Sequence, residues 1–253
     1  MTTRFYDELA PFYHLLYGDW ERAVNEQGTA LAALLSAHGV AHGAPVLDAA
    51  CGIGTQALGL LSRNYRVTAS DISPGAVDRL KREMASRGLK ANAYVDDLRT
   101  LAHVTPSSMA AVIACDNSIP HLLTDAEILQ SFRSCYRCLE PKGVAVFSVR
   151  DYASIARKHP DVRPYGLKQD AAGNRFLAVQ VWEWDGDQYD VRMYLTTEAR
   201  DGACTTRVLR SRYYAVSIGR LCELMKEAGF ADVQRLDRIL FQPVLVGHRR
   251  AHD

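Results

Sequence analysis

No stretch of the chain approaches the ~20 consecutive apolar residues that a membrane-spanning helix needs, and the opening "MTTRFYDELAPFYHLLYGDW" has no basic region leading into an apolar core. Neither a membrane partner nor a leader is expected, and the reading is cytoplasmic. An excess of one charge is lacking too. The 30 Lys plus Arg against 29 Asp plus Glu leave a formal net charge of +1, which gives no broad field for nucleic acid or an acidic membrane. The 6 cysteines follow no disulfide framework, so reduced thiols are expected. Repeats, low-complexity tracts and long linkers are absent. A small-molecule partner is the remaining default.

What is present is enough apolar material, 48% of 253 residues, for one elaborated domain or a domain plus a cap. Four short apolar runs, "PVLDAA" (45–50), "YRVTASD" (65–71), "MAAVIACD" (109–116) and "GVAVFSVR" (143–150), suit strands buried on both faces. Helical patterns lie between them. Ser73 and Pro74 open one, with Val77, Leu80 and Met84 as its stripe and Gly88 at its end; Asp125 begins another that carries Ile128, Phe132, Tyr136 and Leu139. The alternation predicts an α/β domain with a mostly parallel sheet and helices on both faces.

After Asp151 the rhythm changes. Residues 174–198 contain two β-rich runs around Asp185-Gly186-Asp187, a hairpin signal, and 205–216 add a third run. These predict an antiparallel β insert acting as a cap. A helix from about Ile218 to Ala228 and two closing strands follow. The expected division is a helical entrance segment (1–40), a cofactor-binding core (41–150), the insert (151–216), and a helix with closing strands (217–253).

"VLDAACGIGTQALGLL" (46–61) is the most informative stretch. Gly52, Gly54 and Ala57 stand between a strand and a helix, where missing side chains let a ligand reach the backbone. Asp71 closes the next strand, where a carboxylate can accept from ribose hydroxyls. Taken alone, these features suit NAD as well as S-adenosylmethionine.

"LDAACGIGT" resembles the first motif of class I S-adenosylmethionine-dependent methyltransferases, "VDDLR" (95–99) their adenine-contact segment, and "LEPKGVAVFSV" the stretch through their fifth strand. The resemblance implies a Rossmann-like seven-stranded sheet and S-adenosylmethionine as cofactor. It places the cofactor contacts at Asp48, Ala50, Cys51, Gly52, Gly54, Thr55, Asp71, Ile72, Asp96, Asp97, Leu98, Cys115 and Asp116. "ACDNSIPHL" (114–122), "VFSVRDYASI" (146–155) and the block 210–230 further resemble glycine and sarcosine N-methyltransferases. That implies an amino-acid carboxylate held by Asn117 and Arg150. Asp116 departs from the small residue usual in that group, which puts glycine itself in question.

Methyl transfer from a sulfonium needs alignment and exclusion of water more than side-chain chemistry. Candidate positioning and substrate residues are Tyr6, Tyr13, Tyr17, Asn117, Arg150, Tyr152, Tyr165, Arg175 and Tyr214, with His121 as a candidate base; Tyr17, His121 and Tyr214 are the catalytic choices. Plainer readings stand beside them. Tyr6, Tyr13 and Tyr17 also suit one packed helix face, His121 a cap, and Arg150 a structural tie to Asp151 or Asp161. Cys135 and Cys138 form a CxxC inside an amphipathic helix with no second pair, so no metal is expected. Trp182 and Trp184 suit core, stacking or a homo-oligomer surface on the insert. The open alternatives are N- or O-methylation of an amino sugar or other natural product, and a cofactor-binding protein without turnover.

Overall fold

The computed structural model describes residues 2–170 and 172–251. Seven strands, β1 (Pro45–Asp48), β2 (Arg66–Asp71), β3 (Asn92–Val95), β4 (Met109–Ala114), β5 (Leu139–Ser148), β10 (Ala231–Leu236) and β11 (Val244–His248), form one sheet in the order β3-β2-β1-β4-β5-β11-β10. Its pairs are parallel except where β11 runs antiparallel to β5 and β10. Strands β6 (Asp161–Gln169), β7 (Arg175–Asp185), β8 (Gln188–Glu198) and β9 (Cys204–Tyr214) form a second, antiparallel sheet, the expected insert. The fold is Rossmann-like, as the sequence pattern implies. Among the described residues no helix is long and apolar enough to cross a membrane.

Successive residues of the central strands face opposite sides, so each face gets its own core. Val46, Ile113 and Val146 pack with Leu31, Leu58 and Leu80 from α2 (Trp20–Ala37), α3 (Thr55–Leu61) and α4 (Pro74–Ser86). Leu47, Val112 and Phe147 pack with Phe132, Leu221 and Met225 from α5 (Asp125–Cys138) and α6 (Ile218–Glu227). Cys135 and Cys138 are buried in this second core. The caps follow the sequence closely: Ser73 accepts from the Ala76 amide and Ser217 from that of Arg220, and α5 begins at Asp125 as expected, with Thr124 as its cap.

The insert grows out of the core. Trp182, Tyr189 and Tyr213 belong to the same apolar cluster as Phe147 and Tyr152. Its other inward residues, Phe176, Ala178, Met193 and Leu209, bury Phe5 and Leu9 of α1 (Thr2–Leu9). Within the segment 1–40, α2 packs as a core helix through Trp20, Val24, Leu31 and Leu35. Strand β6 has no clear sequence signal. It carries Pro164 and Gly166, both poor strand residues, and is tolerated at the sheet edge with a register shift between those two positions. The outer face of the insert leaves Leu177, Tyr194 and Val208 exposed.

Candidate active site

The sheet order reverses direction between β1 and β4, and ligands of open α/β sheets bind at the carboxyl edge of such a switch point. There the chain leaves β1 through Ala49–Ile53 and enters α3. Gly54 has φ +101°, and a Cβ on it would meet Leu80 at 2.3 Å; glycine is required for both the backbone and the packing. Asp71, at the end of β2, accepts from the Gly52 amide at 2.8 Å and the Ser73 amide at 2.9 Å. Its burial raises its pKa.

A cleft of about 350 Å³ opens over this loop. Its walls include Ala50, Cys51, Gly52, Thr55, Asp71, Ile72, Asp97, Leu98, Cys115 and Asp116, most of the contact set implied by resemblance. Three members of that set stand elsewhere. Gly54 acts through its conformation. Asp48 lies beneath the loop, fully buried; the Ala50 and Ala57 amides face it without a hydrogen bond of standard geometry, and burial pushes its carboxyl up to about 8. Asp96 is consumed in accepting from the amides of Asp97, Ala102 and His103. Asp97 remains at the wall, gripped by Arg99.

A second cavity, of about 620 Å³, adjoins the first, and Tyr6, Tyr13, Tyr17 and Asp116 line both. Asp116 and Asn117 have φ of 57° and 67°, a left-handed pair that Asp and Asn tolerate better than most residues. The pair is stitched to the end of β5: the Asp116 amide donates to the Ser148 hydroxyl at 2.8 Å and the Asn117 amide to the Ser148 carbonyl at 3.0 Å. This turn places the Asp116 carboxylate at the junction. Its Oδ2 accepts from the Tyr17 hydroxyl at 2.9 Å. Oδ1, which Gln56 approaches, has no hydrogen bond of standard geometry. Burial raises the Asp116 pKa.

Arg150 lines the second cavity and has no carboxylate partner among the described residues. The structural ties weighed for it are absent, because Asp151 pairs with Arg235 and Asp161 with Arg163. Its guanidinium lies 5.3 Å from the Trp182 ring centre and 3.5 Å from the Tyr189 hydroxyl. Asn117 has less freedom than the resemblance implies, since its Nδ2 donates to Tyr152 and its Oδ1 accepts from the Arg150 amide. Tyr152 supports that amide from behind and hydrogen-bonds Tyr189. Tyr13 and Tyr165 are at the wall.

Of the residues named for substrate or catalysis, Tyr152, Tyr214 and Arg175 line neither cavity. Tyr214 donates to Asp125 at 3.0 Å, and it is Tyr213 that faces the cavity. Leu209, Ser211 and Tyr213 are the buried positions on β9, so the period of two turns Tyr214 away. By the same rule Phe176, Ala178, Gln180 and Trp182 point inward on β7; Arg175 points out and pairs with Glu198 across the strands. Parity along β9 was a usable signal for Tyr213. Parity turns Gln180 and Met193 inward as well; the 238–242 segment, which also lines the second cavity, carried no such signal.

His121 is enclosed by Tyr6, Ser211 and Tyr213. Its Nε2 meets the Tyr6 hydroxyl at 2.7 Å, its Nδ1 the Ser211 hydroxyl at 3.4 Å, and its ring centre lies 4.0 Å from that of Tyr213. Burial, with Arg150 nearby, pushes its pKa down to about 3. The single-helix reading of the tyrosines does not hold, since α1 ends at Leu9 and a 3-10 turn covers Tyr13–Leu16. Their rings nonetheless meet, at centre distances of 6.0 Å for Tyr6–Tyr13 and 6.1 Å for Tyr13–Tyr17.

A glycine loop at the switch point, an acid closing β2 and a second cavity joined to the cleft coincide with a match of residues 46–143 to the methyltransferase domain family. The chain thus carries a segment of the methyltransferase domain family within a fold shared with S-adenosylmethionine-dependent methyltransferases. Among its curated relatives, the glycine/sarcosine N-methyltransferase of Parasynechococcus marenigrum (strain WH8102) is 28% identical over 145 residues, covering 57% of this chain and 50% of that one. The chain spans 50–62% of the length of the first curated relatives it matches. In fold the chain resembles DesVI of Streptomyces venezuelae, with a TM-score of 0.82 at 16% identity over 96% of this chain and 97% of the other. It also resembles CalS10 of Micromonospora echinaspora, an amino pentose methyltransferase solved with S-adenosylmethionine bound, with a TM-score of 0.75 at 16% identity, covering 89% and 91%. The cofactor of the family fits the cleft: Asp71 presents a buried carboxylate at its wall, and the bare backbone of Gly52 lines it.

Proposed function

We propose that the protein N-methylates a small amine that carries a carboxylate. The observation behind this reading is Arg150, a cation in the second cavity without a carboxylate partner among the described residues, beside the junction with the cofactor cleft. A largely enclosed charge left unpaired is costly unless a ligand pairs with it, and a guanidinium suits a carboxylate in a two-bond fork. The acceptors in the relatives' names, glycine, sarcosine and an amino pentose, are amines, which favours nitrogen as the nucleophile.

S-adenosylmethionine supplies an activated methyl group. The chain's residues do the rest by position. Arg150 holds the carboxylate, so that the amine lies near Asp116 and Tyr17 at the junction. Asp116 Oδ1 accepts an N–H of the neutral amine and turns the lone pair toward the cleft. Tyr6, Tyr13 and Tyr17 close the junction against water, which would otherwise solvate the nucleophile. His121 orients the Tyr6 hydroxyl. A pKa near 3 makes it a weak proton acceptor, since a general base works best near the operating pH.

The test is release of S-adenosylhomocysteine from matched amines with and without a carboxylate, by the parent and by Arg150→Lys. Lysine keeps the charge and loses the fork. The expected result is a loss of about tenfold or more in kcat/KM on the acid-bearing amines, the size of a hydrogen bond to a charged group, with cofactor affinity and Tm near the parent's. Equal turnover of amines lacking an acid would overturn the carboxylate reading and favour an amino sugar.

A further inference from the structure

The second cavity is far larger than a two-carbon amino acid requires. Cavities of about 300–1,000 Å³ are the size that encloses drug-sized ligands, and this one is about 620 Å³. Its chemistry changes along its length. Around Arg150, Asn117 and Asp116 it is polar and fixed by hydrogen bonds. Away from them its walls are Leu16, Ala23, Ala30, Ile239 and Leu240, contributed by the entrance segment, α2 and the connection between β10 and β11.

Two features of this outer half ask for a ligand. Phe241 lines the cavity and, at 69% exposed, is the most exposed large hydrophobic side chain among the described residues; it offers apolar surface that a ligand in the cavity would remove from water. Beside it, Gln242 is only 6% exposed, and its Oε1 is buried with no hydrogen-bond partner. A buried acceptor left unmade costs roughly 1–3 kcal/mol. The rim carries Glu26 and Arg238, one charge of each sign.

We infer that the acceptor is an extended amine, with an apolar body that runs from the junction along Ala23 and Ala30 to Phe241 and a hydrogen-bond donor that reaches Gln242. This rests on the N-methylation reading and specifies its substrate class. The short alanines give the body room, Phe241 covers its far end, and Gln242 selects among apolar bodies for one bearing a hydroxyl or amide N–H. Glycine and sarcosine reach Arg150 and Asp116 but leave this outer half filled with water.

The experiment compares glycine, leucine, phenylalanine, tyrosine and 4-phenylphenylalanine as acceptors. It scores S-adenosylhomocysteine release and, separately, equilibrium binding of each amino acid in the presence of S-adenosylhomocysteine. The variants are the parent, Ala30→Trp, which fills the channel from an incompletely buried helix position, and Gln242→Leu. The expected result is kcat/KM and affinity rising at least tenfold from glycine to the largest acid, with Ala30→Trp abolishing that rise. Tyrosine should exceed phenylalanine in the parent and lose that advantage in Gln242→Leu. Turnover with no dependence on size, or a size preference indifferent to Ala30→Trp, overturns the extended-amine inference and leaves N-methylation standing. Size-dependent binding, blocked by Ala30→Trp but with no turnover of any amine, supports the cavity and overturns the reaction instead. Neither binding nor turnover of any of these acids overturns both.

Discussion

The Tyr17 hydroxyl donates a 2.9 Å hydrogen bond to Asp116 Oδ2 at the junction of the two cavities. Behind it the Trp20 indole donates to the Thr55 hydroxyl at 3.1 Å, and Thr55 donates to the Tyr17 oxygen at 3.2 Å. A chain of donors thus runs from α2 through the first turn of α3 to the only carboxylate among the described residues that lines both cavities. Such networks fix side chains more firmly than isolated pairs do. Here the chain ties the cofactor loop to the wall where the amine would sit.

Tyr17→Phe removes the donor and leaves the ring. The buried Asp116 carboxylate loses its stabilising partner, so its pKa, already raised by burial, rises further. The expected outcome is a fall of about tenfold in kcat, the size of one hydrogen bond to a charged group, with the acid limb of the pH–rate profile moved to higher pH. Cofactor affinity by calorimetry should stay within about twofold of the parent's. An unchanged profile would remove Asp116 from the reaction.

Asp7 latches the entrance segment. Its Oδ1 accepts from the Ser73 hydroxyl at 2.6 Å and the Gly75 amide at 2.9 Å, at the start of α4. Asp7→Ala deletes both contacts, worth about 1 kcal/mol for a cap of this kind, while Phe5 and Leu9 keep their seats against the insert. Proteolysis within residues 10–19 should quicken, cofactor should bind roughly fivefold more weakly, and S-adenosylhomocysteine should restore protection. Equal cleavage rates in parent and variant, with and without S-adenosylhomocysteine, would show that the segment is no lid.

Asp48 predicts an unusual pH dependence of stability. Its folded pKa of about 8 lies above the ordinary carboxyl value because burial disfavours the charged form. Between the unfolded value of about 3.9 and about 8, the folded protein keeps a proton that the unfolded chain has released. This group therefore contributes stability at low pH that is lost as pH rises through that window, at up to ~1.4 kcal/mol per pH unit. Asp71 and Asp116, raised by the same cause, act in the same direction. Asp48→Asn should flatten the decline in unfolding free energy between pH 6 and pH 8 in cofactor-free protein, measured by urea denaturation. A parent whose stability is level across that range would contradict the assignment.

Sequence alone determined the features that depend on neighbours along the chain. The double-sided strands, the Ser73 and Ser217 caps, the left-handed glycine before α3 and the acid closing β2 are short-range patterns, and each maps onto the fold where the pattern puts it. Through them the strand, glycine loop and helix that form the floor of the cleft were legible. The second cavity was not, because its walls come from the entrance segment, α2, the ends of β4 and β5, the insert and the β10–β11 connection, which only tertiary packing brings together. Which of Tyr213 and Tyr214 faces inward depends on where β9 is pinned in its register, and the lack of a carboxylate partner for Arg150 among the described residues depends on Arg235 and Arg163 having taken the neighbouring acids. Likewise His121 reads as a base until burial against Tyr213 lowers its proton affinity, since desolvation is a property of the packed environment and not of the residue.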